Sequence, residues 1–328
     1  MLFRNNLSWL CIHRPQLGTL MSTRPDPPGL SAWLGWSTER VSRWISAQPE
    51  PVVMGWPYDG TRRWYVAYRR RNPGAKDYLG VLIRRQAELH RLIFAHGVSV
   101  IIAPSFGAET LKRGEAYARY ALSGLAQLPA DEVYRGLIDS GVRIRFYGDY
   151  EEALAAPHFR SALEACATLT EATASGDGPL LLIGLFADDP YPTIARLSVE
   201  FAEREGRPPG RTELIEAYYG LPVPDLSLYV GFAQPVMFDV PLIATGLEHL
   251  YVTLNPSPDL TERQLREILY DHLVTRRAAP VDYDTLSPEA VLELVEYAER
   301  CKGSTLGIGR IDPLTGLWRP LLPSPPID

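Results

Sequence analysis

Unbroken apolar runs alternate along the chain with longer segments of helical periodicity. "VSVIIAP" (98–104), apolar but for Ser99 near its start, and "PLLLIGLFA" (179–187) are continuous apolar runs, the pattern of parallel strands buried on both faces. "EPVVM" (50–54) predicts a short first strand. "VRIRFYG" (142–148) alternates and predicts another. "DLSLYVGFA" (225–233) and "HLYVTL" (249–254) predict two more, the last closing the sheet. Between them, 77–97 places Leu82, Ile83, Leu89, Ile93 and Phe94 at helical spacing, with Gly97 as the stop. Helices are also predicted over 31–48 (Trp33, Trp36, Val41 and Trp44 as apolar contacts), about 110–125, near 130–140, and over 211–220. The 260–274 helix opens on a capping-box pair, Thr261 and Gln264, and puts Leu265, Ile268 and Leu269 on one face. The last helix, 287–303, has Ser287 as N-cap, Pro288 at its first position and Gly303 at its end. A small hairpin is expected around "DPLTG" in the tail, and there are no internal repeats. Strand and helix alternate throughout, which predicts an α/β fold with a mainly parallel sheet covered on both faces. In such sheets ligands bind at the C-terminal ends of the strands.

Composition narrows the function. The 328 residues are 46% apolar and 22% charged, enough for a sizeable core. Net charge is −6, which argues against a nucleic-acid partner, so any anion site must be local. The three cysteines, Cys11, Cys166 and Cys301, are far apart and form no CxxC, which fits neither a disulfide framework nor a zinc site. A reducing cytoplasm is the expected location. No apolar run reaches the ~18–20 residues of a transmembrane helix. Residues 1–20 make a poor signal peptide, Met21 is an alternative start, and 22–30 reads as a flexible lead-in. The expected organisation is a partly disordered N-terminal extension (1–50) and a single catalytic domain (51–328).

The richest stretch is "WPYDGTRRWYV" (56–66), directly after the first predicted strand. Gly60 allows a close backbone approach, and a helix start just beyond it would offer free N–H groups to an anion. Arg62 and Arg63 suit bidentate bonds to phosphate oxygens. Asp59 repels an anion directly, but beside phosphate it can hold Mg²⁺. A plain turn with solvated arginines explains the same residues equally well from composition alone.

Other candidates carry less. Lys112 and Arg113 follow the second strand. A solvated helix face is their ordinary explanation, and Arg113 remains a candidate phosphate ligand. Asp188-Asp189 lacks a third spaced carboxylate and reads as a loop cap. "GIG" (307–309) has no preceding strand-helix context. His90, His96, His249 and His272 show no ligand spacing, and Cys166 has no evident histidine partner.

"YDGTRRWYV" resembles the "MDGNRRWA" signature of the cis-prenyltransferases, the undecaprenyl diphosphate synthase family. The likeness continues in order through "IIAPSFGAETLKRG", "VRIRFYGDYEEAL" and "GLEHLYVTLNPSPDLTERQLREIL", from about 51 to 275. Two departures matter. The family's motif Asn, which assists condensation, is Thr61 here. The family segment that binds the co-substrate's diphosphate and completes its metal site corresponds to "YVGFAQPVMFD" (229–239), where Tyr229, Ala233 and Pro235 stand at the Arg, Glu and Arg positions. A bacterial subgroup, the diterpene synthases of this fold that include tuberculosinol and kolavelool synthases, carries "FDGTRRW", "FYGDY", "EGYYG", "IGFG…FD" and "RRILYDH". This chain has "YDGTRRW", "FYGDY", "EAYYG", "VGFA…FD" and "REILYDH".

The subgroup resemblance implies the cis-prenyltransferase fold and an activity. A bicyclic C20 allylic diphosphate of the kolavenyl or tuberculosinyl type, made by a separate class II diterpene cyclase, is ionised and its cation quenched by water or by a nucleoside such as adenosine. It implies Asp59 as Mg²⁺ anchor, and Gly60, Thr61, Arg62, Arg63 and Arg113 around the diphosphate. Tyr78, in "KDYLG", and Tyr117, in "RGEAYARY", match subgroup tyrosines that would orient water or assist diphosphate departure. Buried core tyrosines are the alternative for both. The fold also implies a homodimer through amphipathic segments after Ala187. Ordinary chain elongation is disfavoured by the missing co-substrate residues.

Overall fold

The computed structural model describes residues 28–277 and 282–321. The segment 1–20, Met21 and most of the 22–30 lead-in lie outside the described residues. Six parallel strands form one sheet: β1 (Val53–Gly55), β2 (Val100–Phe106), β3 (Arg143–Tyr147), β4 (Leu180–Leu185), β5 (Leu228–Phe232) and β6 (His249–Thr253). Their spatial order is β3-β4-β2-β1-β5-β6. The helices are α1 (Leu30–Leu34), α2 (Thr38–Ser46), α3 (Thr61–Arg71), α4 (Tyr78–Ala95), α5 (Glu109–Lys112), α6 (Glu115–Gln127), α7 (Glu132–Asp139), α8 (Tyr150–Ala153), α9 (Arg160–Ala172), α10 (Tyr191–Glu205), α11 (Arg211–Tyr219), α12 (Glu262–Leu273) and α13 (Pro288–Cys301). A hairpin of β7 (Gly309–Ile311) and β8 (Trp318–Pro320) turns at the expected "DPLTG".

The apolar runs are unbroken because both sheet faces are covered. Met54, Ile101, Ala103, Ile144, Leu181, Ile183 and Val230 point into a core with α4, α6, α7, α9 and α12. Their strand neighbours Val53, Ile102, Leu182 and Tyr229 point the other way, toward α11. The chain leaves β1 toward β2 and leaves β5 toward β6, in opposite directions from adjacent strands. Such a reversal leaves a crevice beyond the strand ends, and residues 56–60 run through it.

Several elements differ from the periodicity reading. The 31–48 helix is two helices, because Gly35 ends α1 and the Ser37 hydroxyl caps α2 by accepting from the Arg40 N–H (3.3 Å). The 110–125 helix breaks at Arg113 and Gly114, where Gly114 takes φ +96°. Three helices, the one-turn α8 and the longer α9 and α10, had no predicted counterpart. α9 buries small residues (Ala162, Ala165, Cys166) and α10 buries none fully, so neither makes a strong apolar stripe. The capping box at Thr261–Gln264 and the Ser287 cap are both present. The N-terminal helices are fastened by Arg266, whose carbonyl accepts from Trp33 Nε1 (2.8 Å) and whose guanidinium donates to the Trp36 carbonyl (2.6 Å). No helix of the described residues is long and apolar enough to cross a membrane.

Candidate active site

Backbone bonds carry the end of β1 beyond its three residues. Trp56 N–H donates to the Ile102 carbonyl (2.7 Å) and Tyr58 N–H to the Pro104 carbonyl (2.9 Å). Gly60 then turns left-handed (φ +68°) and α3 begins at Thr61. Glycine is needed there twice over. A Cβ would be strained at that φ, and it would sit 2.8 Å from Arg63 Nη2 and 2.9 Å from Pro256 Cβ. The missing side chain lets Arg63 fold back across the helix start. The Asp59 carbonyl accepts from both the N–H (3.1 Å) and the hydroxyl (2.9 Å) of Ser257, which pins the loop after β6 to the motif. The Asp59 carboxylate accepts from Gly60 N–H (2.5 Å).

A cavity of about 800 Å³ opens beside this turn. Asp59, Gly60, Thr61, Arg62, Arg63, Tyr78, Arg113 and Tyr117, all eight residues expected at the site, line it. The Thr61 and Tyr78 hydroxyls are 2.9 Å apart, and Tyr65 meets the Tyr78 ring edge-on at 5.0 Å. Arg113 donates to the Tyr117 hydroxyl (3.1 Å), and the guanidiniums of Arg62 and Arg113 lie 6.0 and 5.3 Å from the Tyr117 ring. Among the described residues none of the three cavity arginines enters an ion pair, and Arg63 Nε is buried without a partner. Glu109, which also lines the cavity, is held by Lys112 at 2.8 Å. No side chain caps the first turn of α3, so its N–H groups remain available. The cavity mouth thus carries uncompensated positive charge and directed donors, the environment of an anion site.

Behind the mouth the walls are apolar: Leu79, Leu82 and Ile83 from α4, Ala121 and Leu125 from α6, and Phe106 and Ile183 from the sheet. Tyr58, which also lines the cavity, meets the buried His90 at Nε2 (2.7 Å), beside Tyr134. Burial holds His90 neutral, its pKa pushed down to about 3. Burial also raises the Tyr78 pKa, so its phenol stays protonated at neutral pH.

Sequence spacing missed the Tyr58–His90 pair, because the two residues are 32 apart, and it missed Ser257, whose contact to Asp59 spans 198 positions. Tyr58 itself stood inside the quoted motif and was the available signal. The remaining candidates lie elsewhere. Lys112 is an exposed partner of Glu109. Asp188 accepts from Ala108 N–H (2.9 Å) and so fastens the loop after β2. Burial pushes the Cys166 thiol up to about 12. His249 and His272, apart in sequence, meet through Nδ1 atoms 2.8 Å apart. His96 hydrogen-bonds the Leu92 carbonyl (2.8 Å) and Arg266 Nε (3.1 Å).

At the co-substrate positions, Tyr229 is buried with its ring over Gly55, where a Cβ would come within 2.3 Å of it. Ala233 adopts φ +67°, and Pro235 is exposed. None of the three offers a charge. Among the described residues no group of three or more His, Cys, Asp or Glu side chains could hold a metal ion. Of the cavity-lining residues only Asp59 and the lysine-paired Glu109 carry carboxylates.

No family model matches the chain. It is 34% identical over 271 residues to tuberculosinyl adenosine transferase of Mycobacterium tuberculosis, covering 82% of this chain and 90% of that protein. The chain belongs to that family. It is also 26% identical over 283 residues to (+)-kolavelool synthase of Herpetosiphon aurantiacus, covering 83% of this chain and 90% of that protein. Among solved structures it resembles a probable undecaprenyl diphosphate synthase from Campylobacter jejuni (TM-score 0.52, 17% identity, 71% of this chain and 99% of that one). It also resembles lavandulyl diphosphate synthase from Lavandula x intermedia, solved with dimethylallyl diphosphate (TM-score 0.55, 12% identity, 74% and 98%). The family's fold here is the cis-prenyltransferase fold, with the parallel sheet that the apolar runs predicted.

Proposed function

We propose that this enzyme ionises a bicyclic C20 allylic diphosphate of the kolavenyl or tuberculosinyl type and quenches the cation with water, releasing a diterpene alcohol and diphosphate. The observation that carries the reading is the cavity's asymmetry. Three guanidiniums that enter no ion pair among the described residues, and an uncapped helix start, stand at the mouth of a chamber that is otherwise largely apolar. A diphosphate headed by a hydrocarbon needs both halves, and the chamber's volume suits a ligand of this size.

C–O heterolysis is slow unless the charge left on the diphosphate is met as it develops. Arg62, Arg63 and Arg113 supply fixed charge, and the N–H groups after Gly60 supply oriented dipoles that need no reorganisation. The protonated Tyr78 hydroxyl, bridged to Thr61, is a neutral donor for the leaving oxygen or for the incoming water. Tyr117 is positioned by Arg113 for the same work. The apolar walls exclude bulk water, and the rings of Tyr65, Tyr78 and Tyr117 offer π-faces to a cation. Asp59 fits Mg²⁺, which is commonly held by one or two protein carboxylates plus substrate phosphates. Bound there, the ion would neutralise diphosphate charge; the family's second metal carboxylate is Ala233 here. The reading treats 51–328 as one catalytic unit.

A second acceptor is favoured by one observation: the 34%-identical relative is named for transfer to adenosine. The test is incubation with a kolavenyl- or tuberculosinyl-type diphosphate, with and without adenosine. Diphosphate release with a free alcohol supports the first reading, and an adenosine adduct supports the second. No turnover of either substrate rejects both.

A further inference from the structure

Residues 60–76 carry six basic side chains and no acidic one, in a chain whose net charge is −6. Arg62 and Arg63 belong to the cavity mouth. Arg69, Arg70, Arg71 and Lys76 do not line it, and all four are exposed. Arg71 folds back and donates from Nε to the Ala67 carbonyl (3.3 Å). Arg69, Arg70 and Lys76 enter no hydrogen bond or ion pair among the described residues. Exposed cations on other helices are matched within a turn, as in Lys112–Glu109, Arg119–Glu115, Arg196–Glu200 and Arg263–Glu267. The loop that carries Lys76 is fastened to α3, because the Tyr65 hydroxyl donates to the Ala75 carbonyl (3.0 Å) and Asn72 Nδ2 to the Tyr68 carbonyl (2.9 Å). One cation in its last turn would already complement the α3 dipole. Further like charges beside it oppose one another, and an anionic partner relieves that.

This face leads to the cavity. Arg62, Val66, Arg69 and Arg70 recur at i, i+4, i+7 and i+8 and form one exposed stripe along α3, opposite the buried Trp64. Val66 is 74% exposed and also lines the cavity, and Tyr120, 49% exposed, lines it from α6. The rim therefore joins an apolar and an aromatic side chain to a stripe of free cations. That combination fits a lipid surface: the cations meet anionic headgroups while the ring and the aliphatic group sit at headgroup depth. A nucleic-acid backbone would use the cations and leave Val66 without a counterpart. With this segment set aside the chain is strongly negative, so an anionic surface repels its remainder and orients this face toward itself.

We propose that the exposed face of α3 and the loop after it dock this enzyme on an anionic lipid surface, with the cavity mouth turned toward the bilayer. The docking itself needs nothing of the mouth's chemistry. Its use, delivery of an amphiphilic diphosphate from the lipid into the cavity, rests on the diphosphate reading above. A C20 hydrocarbon partitions into lipid, and a mouth that meets the bilayer takes it up without carrying it through water.

The test is co-sedimentation of the full chain with vesicles of phosphatidylcholine alone, and of phosphatidylcholine mixed with phosphatidylglycerol at about two to one. Binding to the anionic vesicles should be at least about tenfold tighter, and ~0.5 M NaCl should remove the difference. Arg69→Gln with Arg70→Gln, both at exposed positions, should weaken binding to the anionic vesicles by about tenfold or more. Lys76→Gln, on the separate loop, should weaken it in the same direction. The double variant should keep its kcat on substrate in neutral detergent micelles and show a KM raised about tenfold on substrate carried in anionic vesicles. Equal binding to the two kinds of vesicle, undiminished binding by the double variant, or equally tight binding to duplex DNA would overturn the proposal. No turnover of the diphosphate in any medium, with anionic-vesicle binding intact, would reject the reading of the mouth and leave the docking face standing.

Discussion

The hydroxyls of Thr61 and Tyr78 lie 2.9 Å apart and join the first turn of α3 to the first turn of α4 at the cavity mouth. Burial keeps the Tyr78 phenol protonated, so the pair has a proton to offer as negative charge grows on the leaving oxygen. Tyr78→Phe should therefore lower kcat by about 10–100-fold, the value of a hydrogen bond to a charged group, with little change in KM. Steady-state kinetics on the folded variant checks this. An unchanged kcat would leave Tyr78 a packing residue.

Asp59→Asn and Arg63→Ala should each cut turnover by more than ~100-fold, roughly 3 kcal/mol of transition-state stabilisation, with circular dichroism unchanged. Arg63 Nε has no partner among the described residues to lose, so its removal should leave the fold intact. EDTA should abolish activity and Mg²⁺ restore it. Full activity in metal-stripped enzyme would assign the whole charge to the arginines.

Four histidines, His90, His96, His249 and His272, are held neutral by burial, with His90 and His272 pushed down to about 3. An unfolded histidine binds its proton near 6.5, so between about 3 and 6.5 the unfolded chain holds more protons than the folded one. Stability should be full above pH 6.5 and fall as pH drops, by on the order of 2 kcal/mol for each of His90 and His272 at pH 5. Asp239, whose carboxyl burial raises to about 6, works in the opposite sense and is one group against four. Thermal melts from pH 7.5 to 5 should show a falling Tm. A flat profile would mean that these imidazoles are hydrated.

We expect a homodimer. α13 buries none of its residues against the other described residues, and Val291, Leu292, Leu294, Val295 and Tyr297 on it are exposed apolar side chains. Leu250 and Val252 stand exposed on the edge strand β6. Exposed apolar side chains gathered on single elements in this way suit an interaction site. Light scattering at micromolar concentration should give twice the chain mass, and Leu292→Glu with Val295→Glu should return it to the monomer. A monomeric wild type would contradict the expectation.

The sheet was legible because a strand buried on both faces has only one way to be written, as in "VSVIIAP" and "PLLLIGLFA". The motif at Asp59–Arg63 was legible because its spacing is local: one turn and the first turn of a helix. α9 and α10 escaped because small or half-exposed side chains leave a weak stripe. The Tyr58–His90 pair and the Ser257 tie to Asp59 escaped for a different reason. Each joins segments that only the packing of β1, α4 and the loop after β6 brings together.

The central claim is that the arginine mouth cleaves a C–O bond, leaving a carbocation inside the chamber. Incubation of the enzyme with a kolavenyl- or tuberculosinyl-type diphosphate in H₂¹⁸O, with isopentenyl diphosphate also present, tests it directly by mass spectrometry of the product. The predicted result is inorganic diphosphate without the isotope and a diterpene alcohol carrying ¹⁸O. An unlabelled alcohol would place the cleavage at phosphorus, and a prenyl chain longer by five carbons would show that a second diphosphate binds despite Tyr229, Ala233 and Pro235. Either outcome contradicts the account.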